Sequence, residues 1–377
     1  MITWNVLLMV NRSSQELGDA IDERMHAVES AIGGSTSAHF RPVEVFVQEA
    51  RSTDDGYDVY RRRLGNDPAP PAHLEGLGRS EYISGFLSWS REQRKANHEI
   101  LWVLSHGTDG QLTLTNPDRF KELELWFGPQ IVDTNDQDDT SLSPTEFREA
   151  IPANDGPTLI LLESCVQGSV ETAYALRDRG ELLVVSESWF DALGPPHQQW
   201  LEYVVQHTSA TPADVGRMMI AALGQGALQS SVHGTNGSES GGHACALLQL
   251  DKMERVAAAV QELVNVVESN HDLRTTFERI VKAHILPLSN VRCDFLGLMS
   301  RLADVHGLAM LATRVRTESF DLFVSTYSCD QDLLQGRHGL SILGRWDPSG
   351  RVPGKEGADF YEDTGWYRII PKLKTNE

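Results

Sequence analysis

Residues Thr158–Gly168 read TLILLESCVQG. Thr158 opens a continuous apolar run, Leu159–Leu162, that stops at Glu163-Ser164-Cys165. A run of strand length that is continuously apolar, not alternating, marks a strand covered on both faces, as in a parallel sheet. A second stretch, Ile100–Gly110 (ILWVLSHGTDG), has the same form and ends in Ser105-His106-Gly107. Open α/β sheets gather their functional groups outside the carboxyl ends of the strands, so a histidine and a cysteine at two such ends can meet across one crevice.

Working outward, comparable runs occur at Thr3–Val10, Val43–Val47, Glu99–Ser105 and Leu182–Ser186. Helical patterns alternate with them. In Ser14–Ile32, Leu17, Ile21, Met25, Val28 and Ile32 share one face, with Ser13 or Ser14 as the cap. Val166–Asp178 reads as a helix that begins just after Cys165 and stops at Gly180. Strand and helix in alternation predict an α/β fold whose mostly parallel sheet is sandwiched by helices.

From Asp251 the texture becomes helical. Val256, Val260, Leu263, Val264 and Val267 share a face, and Arg274–His284, Asp294–Val305 and Glu318–Ser328 have helical spacing. The apolar run GLSILGRW, Gly339–Trp346, reads as a late strand. The organisation expected is a core over residues 1–250 and a helix-rich C-terminal subdomain over 251–377 that returns a strand near 339–346. Asn116–Ser143 and Gly234–Gly242 read as exposed loops, because glycine and small polar residues bury too little apolar surface to offset the entropy of ordering.

Composition narrows the partners. With 377 residues and 40% hydrophobic content the chain can bury a large core. Its formal charge of -20, from 33 Lys+Arg against 53 Asp+Glu, argues against nucleic acid and favours cationic partners such as peptides bearing Arg or Lys. The dense basic cluster Tyr60–Gly65 (YRRRLG) reads as a solvated surface turn. Cys165, Cys245, Cys293 and Cys329 are widely spaced and form no CxxC pair, which predicts reduced thiols. The opening MITWNVLLMVN has no cationic leader and reads as a core strand, and no apolar window is long enough to span a membrane, so a cytoplasmic location is expected.

The chemistry follows from the two strand ends. A thiol attacks as its thiolate, and a neighbouring imidazole can take and return the proton. The positive end of a helix starting after Cys165 would favour the thiolate. Backbone N–H groups at Gly107 and Cys165 can stabilise an oxyanion on a scissile carbonyl. His106 and Cys165 in these roles carry acyl transfer through a thioester.

The sequence resembles the clostripain-like cysteine peptidases along nearly its whole length. In Leu162–Gly194 (LESCVQGSVETAYALRDRGELLVVSESWFDALG), Glu163, Cys165, Glu171, Ala173, Tyr174, Leu176, Ser186 and Glu187 occupy the family's pattern of a strand ending in acidic-small-Cys, a Glu-x-Ala-Tyr-x-Leu helix and a strand ending in Ser-Glu. Ser105–Gly110 matches its His-Gly strand end, and Leu247–Val264, Arg337–Leu343 and Asp363–Ile370 its later segments. The resemblance implies a caspase-like fold, a Cys-His dyad and cleavage after a basic residue, which an acid two positions before the nucleophile receives. Glu163 takes that role, with Asp191 and Glu187 as further substrate-binding candidates. Most members carry Asp at that place and Met near the second position after Cys, whereas this chain has Glu163 and Gln167, so the choice between Arg and Lys stays open.

Some relatives are zymogens cut between His and Cys, which makes Arg119 and Lys121 the expected processing sites for self-cleavage or an upstream protease, and Arg148 the fallback. Calcium is used by some relatives. The acidic loop Asp133–Asp139 could bind it, but it lacks the ordered twelve-residue ligand set and reads rather as a solvated acidic loop, and no cofactor is required by the reading. His233, His243 and Cys245 meet no metal-ligand spacing. The alternative from another class is a catalytically silent caspase-like scaffold that binds a protein partner. A third, an α/β small-molecule binder, would need a phosphate-cradling glycine loop, which the sequence lacks.

Overall fold

The continuous apolar runs pair as parallel neighbours. In a computed structural model of the chain, which describes residues 2–12, 15–33, 42–53, 56–64, 72–74, 79–104, 106–108, 111–113, 141–142, 144–164, 167–187, 197–207, 209–232, 244–285, 292–328, 338–344 and 359–371, β1 (Trp4–Arg12) lies parallel to both β2 (Val43–Thr53) and β5 (His98–Leu104). Next to β5 come β9 (Leu159–Glu163) and then β10 (Leu182–Ser186), also parallel. The antiparallel strands β3 (Gly56–Arg63) and β4 (Ala72–Leu74) extend one edge, and β11 (Ala244–Gln249) and β13 (Phe323–Ser328) the other. The order β13-β11-β10-β9-β5-β1-β2-β3-β4 makes a nine-stranded sheet among the described residues.

Because successive side chains of a strand point to opposite faces, each central strand feeds two cores. Leu101 and Val103 of β5, with Ile160 and Leu162 of β9, face one core, while Ile100 and Trp102, with Leu159 and Leu161, face the other. The second core is closed by α1 (Gln15–Gly33), α5 (His197–Gln206) and α6 (Pro212–Val232), through Ile21, Met25, Val28, Trp200, Met219 and Leu223. The first is closed by α2 (Arg79–Gln93), α3 (Pro144–Ala150), α4 (Val170–Ala175), α7 (Met253–Ser269), α8 (His271–Ala283), α9 (Phe295–Leu302), α10 (Ala309–Leu322) and α11 (Asp359–Thr364). This is the helix-sandwiched, mostly parallel sheet expected. The first core runs without a break from Leu7 to Ile370, so the helices after residue 250 pack on the sheet itself.

Four local readings differ from the structure. Glu318–Ser328 is helical only to Leu322, after which FVSTYS forms β13 at the sheet edge. Its aromatic and β-branched residues favour the extended chain. The late strand is short, β14 (Ser341–Leu343), and pairs with β12 (Arg292–Asp294), not with the main sheet. The arginines of Tyr60–Gly65 lie in β3, not on a turn: Arg61 is buried, donates from Nε to Gln48 Oε1 at 2.7 Å and stacks over Trp89, and Arg63 pairs with Glu44. The helix after Cys165 begins at Val170, where the Ser169 hydroxyl accepts the Thr172 N–H at 3.1 Å. Its first turn is therefore not adjacent to Cys165. No helix of the described residues is long and apolar enough to cross a membrane.

Candidate active site

The parallel register of β5 and β9 aligns the two strand ends. Leu104 pairs with Glu163. In the sequence His106 and Cys165 each follow by two residues. His106 and Gly107 open β6 (His106–Thr108), which joins β7 (Gln111–Thr113) and β8 (Ser141–Leu142) in a small antiparallel sheet, with Gly107 opposite Leu112. Cys165, Asp191, Arg119, Lys121, His233, His243 and the loop Asp133–Asp139 lie outside the described residues.

Glu163 ends β9 on the face of Trp102 and α1, and it is 1% exposed. Its Oε1 accepts Arg24 Nε at 2.8 Å, Arg24 Nη2 at 2.7 Å and His197 Nε2 at 3.1 Å. Its Oε2 accepts the Trp102 indole N–H at 2.8 Å and lies 3.0 Å from His197 Nε2. The Trp200 indole, which can only donate, gives its N–H to His197 Nδ1 at 2.9 Å. The histidine therefore carries its proton on Nε2 and hands it to Glu163. Burial pushes the Glu163 carboxyl up, but Arg24 and His197 outweigh it and hold the group well below the usual carboxylate range.

On the opposite face, the turn after Cys165 is stitched to the C-terminal part of the chain. Gly168 N–H donates to Ser186 O at 2.6 Å, and Gly168 O accepts Ser341 N–H at 2.8 Å. A Cβ at Gly168 would lie 2.6 Å from both Glu187 N and Ser186 C, so only glycine allows this approach. Glu171, the second residue of α4, is 4% exposed and accepts Tyr361 Oη at 2.6 Å, Leu343 N–H at 3.0 Å and Arg292 Nη1 at 3.2 Å. Tyr174 donates its hydroxyl to Asp363 at 2.6 Å. Glu187, at the end of β10, is buried, and its Oε2 accepts the N–H of Gly339, whose φ is 97°.

Arg148 sits within α3, its Nη2 2.9 Å from Asp178 and its Nη1 2.5 Å from Asp359. Proteolysis there would require unwinding the helix and breaking both pairs. Cys245 is buried in β11, and the described residues hold no group of three or more His, Cys, Asp or Glu placed to share a metal ion.

Sequence reasoning did not assign Arg24, His197, Trp102, Arg292 or Tyr361. Arg24 left one signal: it falls three residues after Ile21 and four before Val28, so it is a charge on the apolar face of α1. The others are joined to Glu163 or Glu171 across long stretches of chain, which no local pattern encodes.

A helix-sandwiched, mostly parallel sheet whose neighbouring strands β5 and β9 lead into a His-bearing and a Cys-bearing stretch of sequence is a scaffold on which a cysteine hydrolase can be built. The comparisons make this specific. Residues 73–306, more than half of the chain, match the profile of the clostripain family (Peptidase_C11), and the chain belongs to that family and is a cysteine peptidase. A secreted C11 cysteine protease from Bacteroides thetaiotaomicron, solved with an irreversible peptide inhibitor, superposes with a TM-score of 0.67 at 15% identity, covering 97% of this chain and 100% of that one. An inactive zymogen C11 protease from Parabacteroides distasonis gives 0.62 at 14% identity, covering 97% and 99%. At such identities these likenesses establish the shared fold. Among curated proteins, none matches this chain.

Proposed function

We propose that this cysteine peptidase is an endopeptidase cleaving after a basic residue, Arg in preference to Lys, with His106 and Cys165 as its dyad. The observation that carries the reading is the β5–β9 register, which pairs Leu104 with Glu163 and so sets His106 and Cys165 at equal offsets beyond adjacent strand ends. His106 takes the thiol proton. The Cys165 thiolate then adds to the scissile carbonyl, and the N–H groups of Gly107 and Cys165 receive the oxyanion. Collapse of the tetrahedral adduct breaks the C–N bond as His106 protonates the departing amine, leaving a thioester. Water, deprotonated by His106, adds to the thioester carbonyl, and expulsion of the thiolate frees the new carboxyl terminus and restores the dyad.

Glu163 is the acid of the primary pocket in this reading, with Asp191 as a further substrate-binding candidate, while Glu187 lies on the opposite face of the sheet with the Gly339 N–H. What supports it is that Glu163 already holds a guanidinium through Nε and Nη2. Activation is by cleavage at Arg119 or Lys121, by the enzyme itself or an upstream protease, and a cytoplasmic setting suits reduced thiols. The test is a panel of fluorogenic peptides differing only at the residue before the bond, read with wild type, Cys165→Ala and His106→Ala, with and without Ca2+. Turnover selective for Arg or Lys and abolished in both variants is expected. Turnover that survives Cys165→Ala overturns the dyad, and turnover indifferent to that residue overturns the specificity.

A further inference from the structure

The acid that would receive a substrate's basic side chain is already engaged from inside the protein. Oε1 of Glu163 takes two donors of Arg24 and approaches His197, and Oε2 takes Trp102 and His197. A carboxylate offers about four lone-pair directions, so these contacts leave no open one. Arg24 is 4% exposed and Glu163 1%. The two charges cancel, and a second cation seated on the same carboxylate would have to share its single negative charge in the low-dielectric interior. Exchange is different. An incoming guanidinium that displaces Arg24 takes over the same hydrogen bonds while Arg24 regains water, so the count of buried charges is unchanged.

We infer, resting on the pocket role of Glu163 proposed above, that Arg24 is a specificity-determining residue: it fills the guanidinium site of Glu163, and a substrate's basic side chain engages that carboxylate only by displacing it. Arg24 is a tethered competitor carried on α1. A site that is vacant in only about 1–10% of molecules lowers apparent affinity for its ligand by about 100- to 10-fold. Removing Arg24 restores that factor, in KM, for peptides with Arg before the bond relative to matched norleucine peptides.

The test uses the full chain as wild type, Arg24→Met, Arg24→Lys and the double variant Arg24→Met with Glu163→Gln. Melting temperatures are read with and without millimolar N-ethylguanidinium, and kcat and KM with paired Arg and norleucine peptides. Arg24→Met leaves Glu163 without its cation, so N-ethylguanidinium raises its melting temperature, while wild type and the charge-free double variant do not respond. The Arg-to-norleucine ratio of kcat/KM rises about 10- to 100-fold in Arg24→Met, carried by KM, and by less in Arg24→Lys. An Arg24→Met protein that gains no stability from N-ethylguanidinium, or whose ratio stays at or below the wild-type value, overturns the inference. Should Arg24→Met fail to fold, the ratio in Arg24→Lys decides in the same way. If wild type cleaves none of the peptides, the peptidase specificity fails, and the melting response still decides what Arg24 occupies.

Discussion

Replacing Glu171 by Ala tests how the turn after Cys165 is held. The carboxylate satisfies three donors that come from separate segments: the hydroxyl of Tyr361, the backbone N–H of Leu343 and the guanidinium of Arg292. Arg292 is 5% exposed, so truncating Glu171 takes a carboxylate away from a buried cation. Breaking a buried ion pair from one side costs about 3–5 kcal/mol. Unfolding entropy of about 2.1 cal/mol/K per residue gives about 0.8 kcal/mol/K for a chain of 377 residues, so the melting temperature falls by about 4–6 °C. Activity falls by a second route. Leu343 N–H hangs β14 from Glu171, and Ser341 of the same strand donates to Gly168 O, three residues from Cys165. Loosening that contact displaces the thiol by a fraction of the reach of the reaction, which costs about 10- to 100-fold in kcat with a smaller change in KM. Differential scanning fluorimetry and steady-state kinetics read the two effects, with Glu171→Gln, which keeps one acceptor oxygen, expected between them. A melting temperature within about 1 °C of wild type would refute the claim that this carboxylate holds the C-terminal segment.

Two further outcomes follow from the same geometry. Gly168→Ala places a methyl group against the backbone of Ser186 and Glu187, which cannot move aside as a side-chain tip can, so kcat falls about 100-fold while the melting temperature drops by only a few degrees; unchanged kcat would mean the turn tolerates a different path. For pH, burial raises the Glu163 carboxyl, Arg24 and His197 more than reverse this, and the folded group titrates below its unfolded value. Its stabilising contribution is thus complete above the ordinary carboxylate range and is lost as the solution is acidified through and below that range. Urea midpoints at pH 6 and pH 3 should fall further in wild type than in Glu163→Gln, and equal losses would show that the pair adds nothing.

Much of the sheet was legible because continuous apolar runs have few other uses in a chain of this kind. Thr3–Val10, Val43–Val47, Glu99–Ser105, Thr158–Glu163 and Leu182–Ser186 all contain strands of the parallel centre. Periodicity failed where two signals competed. Glu318–Ser328 continues a helical spacing, yet an open sheet edge beside β11 captures its last six residues. After Cys165, Val166 extends the apolar pattern, but Ser169 caps a helix that starts later, and the intervening Gly168 is bound to β10 and β14. At the site, His106, Cys165 and Glu163 were visible because they interrupt apolar runs at strand ends. Their supports were not. Arg24 lies 139 residues from Glu163 in sequence and Tyr361 lies 190 from Glu171, and those pairings exist only once the sheet has brought both cores together.

The two buried acids lie on opposite faces of the sheet. Glu163 points into the core closed by α1 and α5, while Glu171 lies in the core closed by α7 and α11, and among the described residues they share no partner. Independent sites add in stability to within about 0.3–0.5 kcal/mol. Combining Glu163→Gln with Glu171→Gln should therefore lower the unfolding free energy by the sum of the single losses. The rate behaves likewise. Glu171 acts on chemistry through the position of the turn after Cys165, whereas Glu163, in the reading proposed above, acts by receiving the substrate's basic side chain, so the two losses are independent. The double variant is expected to lose the product of the single losses in kcat/KM on an Arg peptide while losing the full sum in stability. Rate losses well short of that product would mean that Glu163 acts through the position of the same turn, as groups that work as a unit do, and not by contact with the substrate's basic side chain.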